Sequence, residues 1–268
     1  MHADGVFYMG KTHTVCQDYV LARGGERPRV LLADGCSSSP DTDIGARLLV
    51  RMAAQYDNTG EACLLDAVVA ARIQAALLGL EDRALDATLL EIRVEGDRWE
   101  AGIHGDGVLA WADHNGVIHA FSLTYAAGYP NYPNYLADPA RRAAFLLQVG
   151  NDRRCEEVML LPDGEVRSRA SFSAPACAPG FRKTGSLEDT RWVAILSDGI
   201  HSFVQTAVDA GGPTTAPVPW TTPLRELLAF KSLNGAFVQR RLQRFLRECE
   251  PRRWQHRDDL AVATLVTG

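Results

Sequence analysis

Five aspartates stand beside runs of apolar residues, and their carboxylates are the side chains of this sequence best suited to chemistry. Asp34 ends the apolar run that starts at Pro28, and Asp198 ends a similar run that starts at Trp192. A carboxylate at the mouth of a buried strand is costly unless something positive meets it. We therefore expect a metal ion at these positions. The other three acids at strand boundaries are Asp18, Asp106 and Asp258.

The alternative for any single Asp-Gly pair is a tight turn, because this dipeptide is also a strong hairpin signal. Recurrence of the same pattern, a strand followed by an acid, favours one shared site. No matching set of His and Cys ligands accompanies the acids, and hard oxygen ligands favour magnesium or manganese over zinc. Two such ions bridged by one carboxylate can activate a water and hold a phosphoryl oxygen, which is a physical solution to phosphoester hydrolysis.

Strands and helices that would position the first acids follow from apolar periodicity. Strands are predicted over 5–12, 19–23 and 28–34, and a helix follows with apolar residues at helical spacing from Ile44 to Tyr56. A second helix is predicted from about Glu61. Its apolar face is expected to pack in the core through Leu65, Val69, Ile73, Ala76, Leu77 and Leu80.

The second half of the chain reads as strands interrupted by two further helices. Four strands between 87 and 122 are predicted to form an antiparallel meander. A Tyr- and Pro-rich loop at 125–135 could rim a pocket or only pack against the surface. The remaining predictions are a helix at 138–148, a hairpin at 157–172, a Pro-rich loop at 211–219, an amphipathic helix at 237–250 and a closing strand through Val266.

Composition narrows the class of protein. The 268 residues include 46% hydrophobic residues, enough for a core, and we expect a single domain over 1–268. A net charge of −5 indicates neither nucleic acid nor an anionic membrane as a partner. Six scattered cysteines predict reduced thiols rather than a zinc site or disulfides. We expect no signal peptide and no membrane span, and hence a cytoplasmic location.

Six short motifs, taken in order, resemble those of the metal-dependent Ser/Thr protein phosphatases of type 2C, the PPM family, in their compact bacterial form. The resemblance covers nearly the whole chain. The motifs are Gly10-Lys-Thr-His-Thr-Val-Cys-Gln-Asp18, Leu31-Leu-Ala-Asp-Gly35 followed by Ile44-Gly-Ala-Arg, Ala87-Thr-Leu, Gly105-Asp106, Leu196-Ser-Asp-Gly199 and Asp258-Asp259-Leu-Ala-Val262.

The resemblance implies an α+β fold, a four-layer α-β-β-α sandwich of two antiparallel sheets flanked by helix pairs. It also implies two Mn²⁺ or Mg²⁺ ions, with Asp34 bridging them. The carbonyl of Gly35 and, through water, Asp18 would serve one ion. Asp198 and Asp258 would serve the other, and Asp106 would help to hold a third, weaker ion.

Two departures from better-known members of the family bear on mechanism. Cys36 stands where many members have the histidine proposed as general acid, and the arginine that often grips phosphate is absent. Lys11 and His13 lie nearby in the sequence instead. We consider His13 the best candidate for gripping phosphate or protonating the leaving group. Its alternative role is that of a structural hydrogen bonder.

The function expected from these features is hydrolysis of phosphoserine or phosphothreonine in a phosphoprotein, in opposition to a Ser/Thr kinase. Asp34 and Asp198 would be central to the reaction. The missing His and Arg motivate one alternative, a metal-binding regulator with weak or no catalysis. A small-molecule phosphoesterase that uses the same site is the other alternative.

Overall fold

Two antiparallel β-sheets packed face to face form the centre of the structure. The structure is a computed structural model, and it describes residues 1–56, 61–125, 130–149, 153–174, 180–209 and 212–267. The strands in chain order are β1 His2–Tyr8, β2 Tyr19–Arg23, β3 Arg29–Ala33, β4 Leu89–Glu95, β5 Arg98–His104, β6 Gly107–Ala112, β7 Ile118–Tyr125, β8 Arg153–Leu160, β9 Val166–Ala174, β10 Phe181–Ser186, β11 Trp192–Leu196, β12 Phe203–Asp209, β13 Gly212–Pro217, β14 Trp254–His256 and β15 Leu260–Val266. The helices are α1 Thr42–Ala53, α2 Glu61–Leu77, α3 Pro139–Val149, α4 Thr221–Leu227 and α5 Phe237–Cys249. Short 3-10 turns lie at Asp82–Leu85, Pro133–Ala137 and Asp198–His201.

One sheet has seven strands in the order β1-β15-β11-β6-β7-β8-β9, and the other has five in the order β10-β5-β4-β3-β2. Apolar side chains of the two facing surfaces, such as Leu32, Ile92 and Ile195, form a buried core between the sheets. Residues Val30 to Ala33 of β3 are completely buried, as expected for a strand covered on both faces.

Helices cover the two outer faces. Helices α1 and α2 pack on the five-stranded sheet, where Leu49 and Leu64 join a cluster with Leu31 of β3. Helices α4 and α5 pack on the seven-stranded sheet, where Leu242 joins a cluster with Val262 of β15. This arrangement of four layers confirms the predicted α-β-β-α sandwich.

Two of the predicted segments are organised differently in the structure. The four strands of 87–122 do not form one meander, because β4 and β5 belong to the five-stranded sheet whereas β6 and β7 belong to the seven-stranded sheet. Within the supposed loop 211–219, residues Gly212–Pro217 form β13, which pairs with β12 in a third, three-stranded sheet. Of the Tyr- and Pro-rich segment 125–135, residues 126–129 lie outside the described residues.

The predicted core face of α2 is wrong. Leu65, Val69, Ile73 and Leu77 are exposed, whereas the face that packs on the protein carries Leu64, Ala67, Val68, Ala71 and Ala75. The helix is apolar on both sides, so periodicity alone cannot choose between them. Small alanines allow the closer approach to neighbouring elements, which is a packing reason for the observed choice.

The described residues bear on two expectations from composition, the absence of a membrane span and the state of the cysteines. None of the described helices combines the length and the apolar character needed to cross a bilayer. All five cysteines in the described residues are free thiols. The sixth, Cys177, lies outside the described residues.

Candidate active site

The ends of the buried strands bring the predicted acids to one edge of the sandwich. Asp34 directly follows β3, and Asp198 follows β11 after one residue. Asp18 precedes β2, Asp258 lies two residues before β15, and Asp106 occupies the turn between β5 and β6. Because neighbouring strands run antiparallel, the end of one strand lies beside the beginning of the next.

Four of the acids line a common cleft of about 240 Å³. They are Asp34, Asp106, Asp198 and Asp258, and Gly35 lies among them. The fifth acid, Asp18, does not line this cleft. Its buried carboxylate accepts a hydrogen bond from Ser197 Oγ at 2.8 Å. The other described residues of the lining are Cys36, Ser37, Ser38, Thr88, Pro130 and Tyr132.

Backbone contacts fix two of the acids. The backbone N–H of Asp34 donates to Thr88 Oγ1 at 3.1 Å, and the N–H of Thr88 donates to the carbonyl of Asp34 at 2.8 Å. Asp106 is flanked by Gly105 and Gly107, which have φ angles of 100° and 131°. A Cβ at Gly107 would also meet the Leu196 carbonyl at 2.8 Å, so glycine is required there for both conformation and space.

Asp258 and Asp259 have different surroundings although they are adjacent. Asp258 faces the cleft, whereas the buried Asp259 accepts hydrogen bonds from the backbone N–H groups of Gly10 at 2.7 Å and Gln17 at 2.6 Å. His13 lies between these two carboxylates, with Nε2 3.3 Å from Asp258 Oδ1 and Nδ1 3.0 Å from Asp259 Oδ2. The structure thus places His13 behind Asp258, and it is not among the described residues that line the cleft.

The clustered carboxylates raise one another's pKa. Burial is the largest cause of the raised pKa of Asp18, Asp34 and Asp106, and repulsion from neighbouring acids adds to it. Burial and the nearby Asp198 raise the pKa of Asp258 to about 6, against the opposing effect of His13. The described lining contains no Lys or Arg to offset this negative charge, and Lys11 does not reach the cleft.

A cation fits this site by charge and by donor type. Asp18 Oδ1 and Asp198 Oδ1 are buried and have no hydrogen-bond partner, which is unusual for polar atoms unless another group satisfies them. Carboxylate oxygens are the ligands that Mg²⁺ and Mn²⁺ prefer. Within the described residues, however, no three His, Cys, Asp or Glu side chains are grouped closely enough to hold a metal ion as they stand.

Cys36 is set among hydroxyl groups at the rim of the cleft. Its sulfur lies 3.1 Å from Ser38 Oγ. Burial acts to raise the pKa of this thiol, but hydrogen bonds from Ser38, Tyr132 and Ser39 outweigh burial and lower the pKa. Burial also raises the pKa of Tyr132, whose neighbours are Cys36 and the acids, so its phenol keeps its proton. Position 36 therefore offers a polarised thiol at the rim of the cleft.

A buried network below the rim was not predicted from the sequence. Asp86 accepts hydrogen bonds from Ser39 Oγ at 3.0 Å, Asn134 Nδ2 at 3.0 Å and Arg141 Nη2 at 2.7 Å. Its carbonyl also accepts from the backbone N–H of Cys36 at 2.8 Å. This one carboxylate thus joins the loop after Asp34 to the segments before and within α3. No local pattern in the sequence links these positions.

Comparisons with known proteins agree with this architecture. The serine/threonine phosphatase of S. agalactiae has 14% sequence identity and a TM-score of 0.56, over 99% of this chain and 99% of that one. Stp1 from Staphylococcus aureus has 10% identity and a TM-score of 0.56, over 99% and 94%. PppA, a regulatory component of T6SS in Pseudomonas aeruginosa, has 14% identity and a TM-score of 0.53, over 98% and 96%.

At these low identities the structural similarities concern the fold alone. No curated protein matches the chain significantly in sequence. A family model described as protein phosphatase 2C, however, matches residues 10–247. Because this model spans most of the chain, the protein belongs to the protein phosphatase 2C family.

Proposed function

We propose that this protein hydrolyses phosphoserine and phosphothreonine in a cytoplasmic phosphoprotein, in opposition to a Ser/Thr kinase, with two divalent ions, Mn²⁺ or Mg²⁺. The observation that carries the proposal is the cleft in which Asp34, Asp106, Asp198 and Asp258 meet without a described cationic side chain. The carboxylates in this cleft have raised pKa values because they are buried and repel one another, and a bound cation would offset that repulsion.

In this proposal Asp34 would help to hold both ions, and the Gly35 carbonyl and, through water, Asp18 would serve one of them. Asp198 and Asp258 would serve the other ion, and Asp106 would help to hold a third. When bound, such ions supply an activated water and neutralise the charge of phosphoryl oxygens. Ser197 keeps the buried carboxylate of Asp18 in place through its hydrogen bond.

Neutral donors replace the missing arginine in binding the substrate. Ser37, Ser38 and the Tyr132 phenol all face the cleft, and each can donate one hydrogen bond to a phosphoryl oxygen, Ser38 and Tyr132 in exchange for their contacts with Cys36. Neutral hydrogen bonds are weaker than charge-assisted bonds from arginine. We therefore expect a weaker grip on phosphate than an arginine would supply, and a correspondingly higher KM.

Hydrolysis of a phosphopeptide and of an aryl phosphate, each with manganese and with excess chelator, tests the proposal. We expect turnover with manganese or magnesium and none with chelator. Asp34→Asn should abolish turnover and leave the protein folded, because it removes a metal-binding charge and relieves repulsion in the metal-free state. The matched control is Asp163→Asn, since Asp163 belongs to an exposed Asp-Gly pair in the β8–β9 turn.

Three results would contradict the proposal. Turnover that persists in excess chelator would exclude dependence on a metal ion. An Asp34→Asn variant with wild-type turnover and unaltered affinity for manganese would restore the interpretation of Asp34-Gly35 as a simple turn. Full dependence on zinc in place of manganese would contradict the assignment of the ions.

A second candidate function is a regulator that binds metal or phosphoprotein without turnover. The absence of Lys and Arg from the described lining favours this alternative, because phosphoryl transfer usually needs cations that stabilise developing charge. Binding of a phosphopeptide without release of phosphate, in the presence of manganese, would support the regulator. Release of phosphate would exclude it.

A further inference from the structure

A second cavity, of about 200 Å³, lies beside the active-site cleft. Tyr132 lines both spaces, and of the chain neighbours Gly105 and Asp106 the first lines the cavity and the second lines the cleft. On the side of the cleft, the Tyr132 phenol contacts the Cys36 thiol. Tyr132 is therefore a wall common to the two spaces, and a peptide that occupies the cleft would extend past it into the cavity.

The cavity combines apolar walls with cationic side chains. Leu64, Tyr125, Pro133 and Leu136 contribute apolar surface, and Arg142 and Arg182 contribute positive charge. No Asp or Glu is among the described residues that line it. Its volume is below that of a pocket for a drug-sized ligand, so it suits a single side chain. The best match is a side chain whose methylene groups contact the walls and whose terminal anion meets the guanidinium groups.

The two arginines come from separate elements, and the start of α3 holds one of them in position. Arg141 pairs with the buried Asp86 at 2.7 Å, and the backbone N–H of Arg142 donates to the Asp138 carbonyl at 2.9 Å. The Arg142 side chain is half-buried, and within the described part of the chain it has no acidic partner. Arg182 lies on β10, an edge strand of the five-stranded sheet. A half-buried guanidinium without a paired acid favours an anion as the occupant.

We propose that this cavity binds a glutamate side chain of the substrate, two or three positions from the phosphoserine or phosphothreonine, an inference that rests on the proposed function. An extended peptide advances about 3.3 Å per residue, so two or three residues cover roughly 7–10 Å, enough to pass one tyrosine side chain. The acids of the cleft repel an acidic peptide. Arg142 and Arg182 offset that repulsion at the position of the glutamate, so the preferred substrates are acidic phosphopeptide segments.

A set of neutral phosphoserine peptides tests the proposal, each with a single glutamate two or three positions to either side and each compared with its glutamine counterpart. With manganese, glutamate at one of these positions should raise kcat/KM about 10-fold, because charge-assisted hydrogen bonds are stronger than neutral ones. Arg142→Gln should lower that ratio. Arg182→Glu should reverse the preference, so that lysine at the same position becomes better than glutamate. The matched control is Arg244→Gln, an exposed arginine on α5, which should keep the ratio of wild type.

An aryl phosphate, which is too small to reach the cavity, separates this proposal from the proposed function. Turnover of the aryl phosphate together with equal kcat/KM for all glutamate and glutamine peptides overturns the glutamate pocket alone. If wild type hydrolyses neither the aryl phosphate nor the peptides, the proposed hydrolysis fails, and the dissociation constants of the same peptides are compared by fluorescence anisotropy. Tighter binding of one glutamate peptide then supports the pocket, and equal binding overturns it. A preference for glutamate that persists in Arg182→Glu also overturns it.

Discussion

Ser197 Oγ donates a hydrogen bond to Asp18 Oδ2 at 2.8 Å, and the two residues are 179 positions apart in the sequence. The same Ser197 oxygen accepts a hydrogen bond from the backbone N–H of Ala261 at 2.9 Å. The other oxygen of Asp18 is buried without a partner. One hydroxyl therefore links the acid before β2 to the loop after β11 and to β15.

Replacing Ser197 with Ala should lower the free energy of unfolding by about 1–3 kcal/mol, because a buried carboxylate and a buried N–H each lose their partner. The hydrogen bond also acts to lower the pKa of Asp18, so its loss makes that carboxylate harder to ionise. We expect half-maximal activity to require more manganese. Urea unfolding and a manganese titration measure the two effects. Ser171→Ala, an exposed serine on β9, is the control and should change neither.

Asp258 should make the metal-free protein more stable as the pH falls from 7 towards 4. Its pKa is raised from the usual value of 3.8 to about 6 in the folded protein, so between these values the folded state binds more protons than the unfolded state. Stability from this group is complete below the unfolded pKa and is lost as the pH rises through 6. Bound manganese should remove this dependence, because the ion favours the ionised carboxylate.

The measurement is the difference in unfolding free energy between wild type and Asp258→Asn at several pH values without metal. Comparing the two proteins removes the contribution of His201 and His256, which is common to both. Burial lowers the pKa of these histidines, so they make the folded protein less stable as the pH falls over the same range. A difference that does not change between pH 4 and 7 would refute the raised pKa of Asp258.

The gathering of acids at strand ends follows from the residues themselves, whereas the four layers of the fold were predicted only through the resemblance of six motifs to a known family. A continuous apolar run such as β3 predicts a strand that is buried on both faces. The carboxylate of Asp34 at its end then needs a polar or charged partner, because burying it alone is costly. The structure brings Asp34, Asp106, Asp198 and Asp258 into one cleft. Their roles as metal ligands, and the roles of Gly35, Asp18 and His13, remain predictions.

What the sequence could not supply depends on contacts between distant residues. Periodicity shows that α2 is apolar but not which face is buried. The pair Asp258-Asp259 offers two equivalent carboxylates, and only the packing of Gly10 and Gln17 against Asp259 distinguishes them. Asp86 and Arg141 are 55 positions apart, and the apolar patterns of their own segments do not predict that they form an ion pair.

Replacing Arg141 with Ala should destabilise the protein by about 2–4 kcal/mol, because it leaves the buried carboxylate of Asp86 without its positive partner. Ser39 and Asn134 would still donate to Asp86, so the fold should survive. The loop that carries Cys36 should be held less firmly, which raises KM for a phosphopeptide. Arg154→Ala removes an exposed arginine on β8 and should leave both quantities unchanged. Equal effects of the two replacements would contradict the importance of the ion pair.

His13 is best tested with two substrates that differ in the leaving group. Both ring nitrogens of His13 face the carboxylates of Asp258 and Asp259, so we expect it to act by positioning Asp258. His13→Ala should then lose about 10-fold or more in kcat/KM on an alkyl phosphopeptide and on an aryl phosphate alike, as partners of metal ligands commonly do. His114→Ala, an exposed histidine, is the control. A large loss on the alkyl ester alone would instead identify His13 as the general acid, because only an alkoxide needs a proton to leave.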